Sequence, residues 1–333
     1  MNIVATDEIS SIQATGVSVD TWTHGETHLP VVSPLEEQST VDRFDGLRAL
    51  VNDHLHREGA VLLRGFKKGE VSDFHLFAAS FGHEMLSYEF GSTPRSLVQE
   101  SIYSSTEYPA HQWIPQHNEQ SYTDRWPMKI WFYCDVAAAT GGETPIANSR
   151  EVYRRLPEAI RRRWADKRLM YVRNYGNGLD IPWEQVFRTT DPAKVEAFCA
   201  LHGIRCEWRD DGGLRTRQVC EAEALHARTR ERVWFNQAHL FHVSSLEPAV
   251  RETLLSAVDD ESELPRNVFY GDGTAIEEEI LDHIRSIYAD LMFSFSWQEG
   301  DILTLDNMLT SHGRAPFTGP RRVLVAMAEP WPT

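Results

Sequence analysis

The chain has 333 residues, of which 41% are hydrophobic and 11% aromatic, enough for a packed core and unlike a disordered chain. Its 33 basic side chains stand against 49 acidic ones, and the formal charge of −16 disfavours a general binder of phosphate backbones. Four cysteines (Cys134, Cys199, Cys206, Cys220) form no CxxC pair, which argues against a disulfide framework and against a Cys-type zinc site. No stretch approaches the ~20 apolar residues of a membrane helix. The first residues, MNIVATDEISSIQ, lack the basic start and apolar run of a secretory leader, so the expected compartment is the cytosol.

In chain order, Val41 to Glu58 carries Phe44, Leu47, Val51 and Leu55 at three- and four-residue steps, which predicts an amphipathic helix stopped by Gly59. AVLLRGF (Ala60–Phe66) reads as a short strand, and Val71 to Phe81 as a second helix. LVQESIY near residue 100 alternates. MKIWFYCDVA (Met128–Ala137) is aromatic and β-branched and predicts a central strand. Residues 149–168 repeat Val152, Leu156, Ile160 and Trp164 at four-residue steps behind a capping Ser149 and predict one helix. The stretch 171–235 is mixed, with YGNG and DDGG as turns; helices are expected at Pro248–Val258 and Glu277–Leu291. FSFSWQEGDILTLDNMLTSHGR and RRVLVAMAEP then read as strands and turns. Strands on both sides of a long insertion predict an α+β fold around a mainly antiparallel sheet. No GxGxxG or Walker loop joins a strand to a helix, so a nucleotide-binding fold has no support.

A His-x-acid pair occurs three times: His24/Glu26, His56/Glu58 and His117/Glu119. Residues i and i+2 share a face in a strand but lie about 200° apart around a helix. That removes His56/Glu58, and His24/Glu26 has no periodic scaffold. His117 and Glu119 follow Pro115 and precede the strongest strand, where extended backbone aims both at one ion. Two histidines and one carboxylate with open positions suit non-haem Fe(II). His312, delivered by the strand and turn WQEGDILTLDN, is the candidate third ligand.

HNEQSYTDRWPMKIWFYC, GGETPIANSREVY and GDILTLDNMLTSHGRAPFTGPRRVLVAM together resemble the Fe(II)/2-oxoglutarate-dependent dioxygenases of the TauD/TfdA superfamily, from about Leu62 to Pro330. Within it the chain looks most like the SyrP-like branch, similar to amino-acid hydroxylases of natural-product pathways. The resemblance implies one domain over residues 1–333, built on a distorted double-stranded β-helix (jelly-roll) core with flanking helices. Residues of about 1–40 would be an N-terminal extension, and about 150–290 a helical and irregular insertion over the active site. It implies Fe(II) on His117, Glu119 and His312, with 2-oxoglutarate as co-substrate and O2 as oxidant. Thr144 of GGET and an arginine of the Arg321–Arg322 pair would hold 2-oxoglutarate. Only one of the pair can face the interior of a strand's pleat, and Arg322 is the favoured one. A guanidinium fork suits the carboxylate because it makes two parallel charge-assisted bonds.

Glu119 stands where related halogenases have a small residue, which favours hydroxylation. Some relatives carry a second arginine four residues after the first; here that position is Ala326, so Arg95, Gln99, Ser105 and Arg314 become candidate substrate contacts. The expected activity is hydroxylation of an unactivated C–H bond in an amino acid or a metabolite made from one. The same cofactors would also support desaturation, epoxidation or cyclisation, and a catalytically silent jelly-roll binding protein is the reading from another class. His239 and His242 are read as structural or substrate-facing rather than as a second metal site. The segment Arg150–Arg168 holds eight basic residues against three acidic ones and is the candidate docking face for an acidic carrier protein.

Overall fold

The computed structural model describes residues 16–86, 96–105, 108–176 and 180–332. In chain order its strands are β1 (Val17–His24), β2 (Thr27–Pro34), β3 (Ala60–Leu63), β4 (Leu97–Gln99), β5 (Ile102–Ser104), β6 (Ile114–His117), β7 (Trp126–Val136), β8 (Thr140–Gly141), β9 (Ile146–Asn148), β10 (Leu169–Tyr175), β11 (Arg205–Trp208), β12 (Leu214–Cys220), β13 (Glu223–Leu225), β14 (Arg232–Trp234), β15 (Arg266–Tyr270), β16 (Ile302–Asp306), β17 (Thr310–Arg314), β18 (Phe317–Thr318) and β19 (Arg322–Trp331). An eight-stranded sheet runs β1-β2-β3-β16-β7-β19-β5-β4, antiparallel except where β2 meets β3. A three-stranded sheet, β6-β17-β9, lies over its inner face, and β8 pairs with β18.

The period of two along each strand decides which side chains meet. Trp131 and Tyr133 of β7 share one side with Val61, Leu63, Leu324 and Ala326, packed against Leu47, Val51 and Leu55 of the helix Phe44–Glu58 and Phe74 and Phe77 of the helix Val71–Ala79. Ile130, Phe132 and Cys134 turn to the other side with Leu62, Leu303, Leu305, Val323, Val325 and Met327, where Ile146 of β9 joins them. The second cluster is the layer between the two sheets. Its strands are apolar on both faces because helices cover one side and the small sheet the other.

Three elements differ from their sequence expectation. The segment 149–168 is two helices, Ser149–Arg155 and Glu158–Lys167. Pro157 has no N–H to donate and holds Leu156 extended (φ −68°, ψ 133°), so the four-residue apolar step continues across a break in the backbone. Part of the expected N-terminal extension is sheet: β1 and β2 form a hairpin docked on β3. The insertion of about 150–290 contains a second sheet, β11-β12-β10-β15, as well as helices. It closes over Trp164, Tyr171, Trp234 and Tyr270, against which the helix Glu278–Leu291 buries Leu281, Ile284, Ile287 and Leu291. Among the described residues no helix is long and apolar enough to cross a membrane.

Gly59 joins the helix Phe44–Glu58 to β3 at φ +85°, and its carbonyl accepts from the Asp306 N–H. A Cβ there would overlap the Thr310 hydroxyl and stand 2.9 Å from the Leu309 Cβ. Gly59→Ala therefore combines an unfavourable left-handed backbone with overpacking, and the expected loss is about 1–3 kcal/mol of unfolding free energy, read by denaturant titration. An unchanged midpoint would contradict this packing.

Candidate metal centre

β6 and β17 place His117 and His312 directly opposite each other. Their ring centroids are 4.4 Å apart, and Glu119 brings Oε2 to 3.9 Å from His312 Nε2. Each of the three offers a ligand atom, and these atoms lie within 4.8 Å of one another. Glu119 and His312 are buried. His117 Nδ1 lies 2.9 Å from the Pro115 carbonyl, which can only accept; the ring therefore carries its proton on Nδ1 and presents the Nε2 lone pair. Two imidazoles and a carboxylate in this arrangement fit a mononuclear Fe(II) centre with open positions. Among the described residues the two other His-x-acid pairs do not assemble such a site. His24 and Glu26 sit at the β1–β2 hairpin, and His56 and Glu58 on the helix Phe44–Glu58.

The turn after β16 holds this geometry. The Asn307 side chain accepts from the Glu119 N–H at 2.7 Å and donates to the Glu119 and Pro127 carbonyls, both at 2.9 Å. Asn118, between the two acid–base residues, donates to the Asn307 carbonyl at 2.6 Å and to Ser149 Oγ at 3.0 Å. Asp306 Oδ1 caps the N–H groups of Met308 and Leu309. Its Oδ2 faces His226 Nε2 at 3.0 Å. Because His226 Nδ1 accepts from the Thr229 N–H, Nε2 carries the proton and donates to Asp306. The insertion thus buttresses the turn from behind. On the other strand, His239 Nε2 donates to the Gln116 carbonyl at 2.8 Å, and its ring stacks on Tyr288. Burial pushes the His239 imidazole down to about 3, so it is neutral at physiological pH. Its Nε2 is spent on the β6 backbone, which agrees with a structural role.

His117 and His312 line a cavity together with Phe132, Thr144, Ser105, Arg314 and Arg321. Arg321, not Arg322, is the arginine of the pair that reaches it. Val323, Val325 and Met327 all face the inner cluster, and Arg321 shares their side. Arg322 faces outward, half-exposed, paired with Asp135 at 2.9 Å. Arg321 Nε donates to the Gly142 carbonyl at 2.9 Å and Nη1 to Ser105 Oγ at 3.3 Å. Burial, with a smaller contribution from Arg314, lowers its guanidinium to about 10, still a cation at neutral pH. Gly142 has φ +74°, and a Cβ there would stand 2.9 Å from the Arg321 side chain. Thr144 Oγ1 accepts from Trp297 Nε1 at 3.2 Å, which leaves its own proton for a further acceptor.

The candidate substrate contacts separate. Ser105 and Arg314 line the cavity, but the Arg314 fork donates to the carbonyls of Tyr108, Pro109 and Gln112 and pins that loop. Gln99 is exposed on edge strand β4, outside the cavity lining. Arg95 lies outside the described residues. Four positions on from Arg321 is Val325, which is as apolar as Ala326. The basic segment is also changed by its neighbours. Arg150 and Arg154 meet Glu231, Arg163 meets Glu277, Lys167 meets Asp272 and Arg168 meets Glu221. Four acids from elsewhere in the fold thus meet five of the segment's eight basic residues, which weakens the charge argument for carrier docking. Asn307 spans both halves of the centre, while His226, Trp297 and Phe132 carried no signal in the sequence as site residues.

A centre of two histidines and one glutamate between two β-sheets, beside a half-buried arginine, defines the class of non-haem Fe(II)/2-oxoglutarate-dependent dioxygenases. The family model described as taurine catabolism dioxygenase TauD, TfdA family, matches residues 34–327, and the chain belongs to this family. It is 39% identical over 306 residues to the dapdiamide synthesis protein DdaC of Enterobacter agglomerans, covering 92% of each chain. It is 33% identical over 287 residues to a clavaminate synthase-like protein of Arabidopsis thaliana, covering 83% of each. Among solved structures it shares its fold with PvcB, an Fe, alpha-ketoglutarate-dependent oxygenase from an isonitrile synthetic pathway (TM-score 0.55, 15% identity, 94% of this chain and 91% of that one). It also shares it with AAD-2 in complex with Mn(II) and N-oxalylglycine (TM-score 0.53, 12% identity, 93% and 97%).

Asn307→Ala removes the bonds that fix Glu119 between β6 and β7 while leaving the three candidate ligands in place. The expected result is a loss of about 10- to 100-fold in Fe(II) affinity, measured by competition with a chelator. Wild-type affinity in a folded Asn307→Ala protein would show that the turn does not set the site.

Proposed function

We propose that this enzyme hydroxylates an unactivated C–H bond of an amino acid, or of a metabolite made from one, in natural-product biosynthesis in the cytosol. The observation that carries the reading is the meeting of His117, Glu119 and His312, with the half-buried Arg321 lining the same cavity as the two histidines. The 39% identity to a dapdiamide synthesis protein supports the biosynthetic setting. In this reading the eight-stranded and three-stranded sheets are the two walls of a distorted double-stranded β-helix. The SyrP-like branch remains the sequence resemblance that points to amino-acid chemistry.

His117, Glu119 and His312 would hold Fe(II), and the Arg321 fork would take the distal carboxylate of 2-oxoglutarate. Thr144 can donate its hydroxyl proton to the same carboxylate, since Trp297 supplies the hydrogen bond its oxygen accepts. With Fe(II) and 2-oxoglutarate bound, the chemistry supplied is activation of O2, with succinate and CO2 as co-products. The chain's own part is to orient and to exclude water. Phe132 packs its ring 5.0 Å from that of His312 and Ile114 closes another wall, so the reacting centre is apolar except where donors are placed. Glu119 keeps a carboxylate at the position that a halide would need, which favours hydroxylation among the outcomes these cofactors support.

The test is succinate release with mass spectrometry over amino acids and their derivatives. A product heavier by about 16 Da is the signature of hydroxylation, and one lighter by about 2 Da would replace it with desaturation. On the substrate found, Arg321→Gln is expected to raise the KM for 2-oxoglutarate about 100-fold, as losing a charge-assisted bidentate bond does, while Arg322→Gln changes it by no more than about twofold. The reverse pattern would return the role to Arg322.

A further inference from the structure

The chain leaves the triad through Gln120, a non-glycine residue held in the left-handed region (φ +56°), and Gln120 lines a second cavity. Such backbone persists only where the surroundings impose it, and it concentrates at functional sites. This cavity is open at its mouth and holds about 370 Å³, against about 30 Å³ beside Arg321. The smaller cavity cannot take a second organic reactant, which needs other space. The floor of the larger cavity includes Leu86, whose N–H donates to the Met327 carbonyl and whose side chain packs on the inner cluster containing Phe132. The larger cavity therefore backs onto the apolar cluster that also contains Phe132, a wall of the smaller cavity.

Charge of both signs lines the larger cavity. Asp124, Arg125 and Glu84 stand on it, with His202 from the insertion. Asp124 is already committed: both carboxylate oxygens lie 3.0 Å from His202 Nδ1, and the His202 ring packs on Phe198 at 4.3 Å. That contact ties the insertion to the loop following Glu119 and completes a wall. Arg125 and Glu84 are exposed and have no ion-pair partner among the described residues. A cavity that presents one uncommitted cation and one uncommitted anion is complementary to a ligand carrying the opposite pair.

Resting on the oxygenase reading above, we propose that this cavity binds the substrate and that the substrate carries both a carboxylate, held by Arg125, and an ammonium group, held by Glu84. The Asp124–His202 pair is the clasp between core and insertion that walls the site. The assignment explains how a chain with an apolar residue four positions after Arg321 anchors a charged substrate: the anchor comes from the loop after the metal-binding pair.

The experiment uses the full chain loaded with Fe(II) and 2-oxoglutarate without oxygen, titrated calorimetrically. The probes are the common L-amino acids, each beside its decarboxylated amine and its des-amino acid. Binding is expected for at least one amino acid, at least about tenfold weaker for either counterpart. A further loss of about tenfold or more is expected in Arg125→Gln and in Glu84→Gln, and no change in Arg322→Gln. Both substituted side chains are exposed, so the fold tolerates the changes, which circular dichroism verifies. Equal binding in Arg125→Gln and wild type, equal binding of an amine or acid counterpart, or no binding by any probe to fully loaded protein overturns the proposal and leaves the oxygenase reading standing. Failure of the protein to take up Fe(II) and 2-oxoglutarate at all overturns that reading, and this proposal with it.

Discussion

The antiparallel pairing of β6 with β17 is the constraint on which the rest of the site depends. It sets His117 against His312 across two strands of a three-stranded sheet, and neither strand is long enough to hold that register alone. The register is fixed from outside. Gln116 donates from Nε2 to the Pro145 carbonyl and accepts from Ser311 Oγ, so β6, β9 and β17 are stitched by side chains as well as by backbone. Asn307 then carries Glu119 into the same frame. Because a buried amide left without its partners costs about 1–3 kcal/mol, the many bonds of Asn307 make one geometry strongly preferred over any slipped alternative.

Arg321 introduces the opposite kind of constraint. A guanidinium taken out of water is expensive unless its donors are satisfied, and here a backbone carbonyl and a serine hydroxyl take only part of its fork. The depressed but still cationic state of that group marks a site that gains most when an anion arrives. The negative net charge of the chain describes none of this. Much of the basic segment after the metal motif is paired with acidic side chains brought to it by the fold, while Arg321 is half-buried beside the two histidines.

Much of this was legible in the sequence because strong periodicity survives folding. The helix Phe44–Glu58 and strand β7 keep their apolar steps although His54 and Lys129 are buried within them. The third His-x-acid pair is legible from extended backbone although Glu119 stands in the turn just beyond β6. What escaped notice did so for physical reasons. Thr216 and Gln218 are buried on β12, so the alternation of that strand is disguised by polar side chains in apolar positions. The break at Pro157 was written in the chain but masked by an apolar step that runs through it. The parity of Arg321 against Arg322 depends on which face of β19 turns inward, and both faces are apolar: Val323, Val325 and Met327 on one side, Leu324, Ala326 and Ala328 on the other. His226 and Trp297 act on the site through tertiary contacts 80 and 153 residues away in sequence, which no local pattern encodes.

The central claim is that one Fe(II) and one 2-oxoglutarate bind at His117, Glu119, His312 and Arg321. Anaerobic titration of the metal-free protein with Fe(II) and then 2-oxoglutarate measures it directly, through the weak visible charge-transfer band of a chelated 2-oxo acid. The account requires a band saturating at one equivalent of each, abolished in His117→Ala, shifted to much higher 2-oxoglutarate concentration in Arg321→Gln and unchanged in Arg322→Gln. A folded, metal-loaded protein that develops no band, or a band indifferent to His117→Ala, would contradict it.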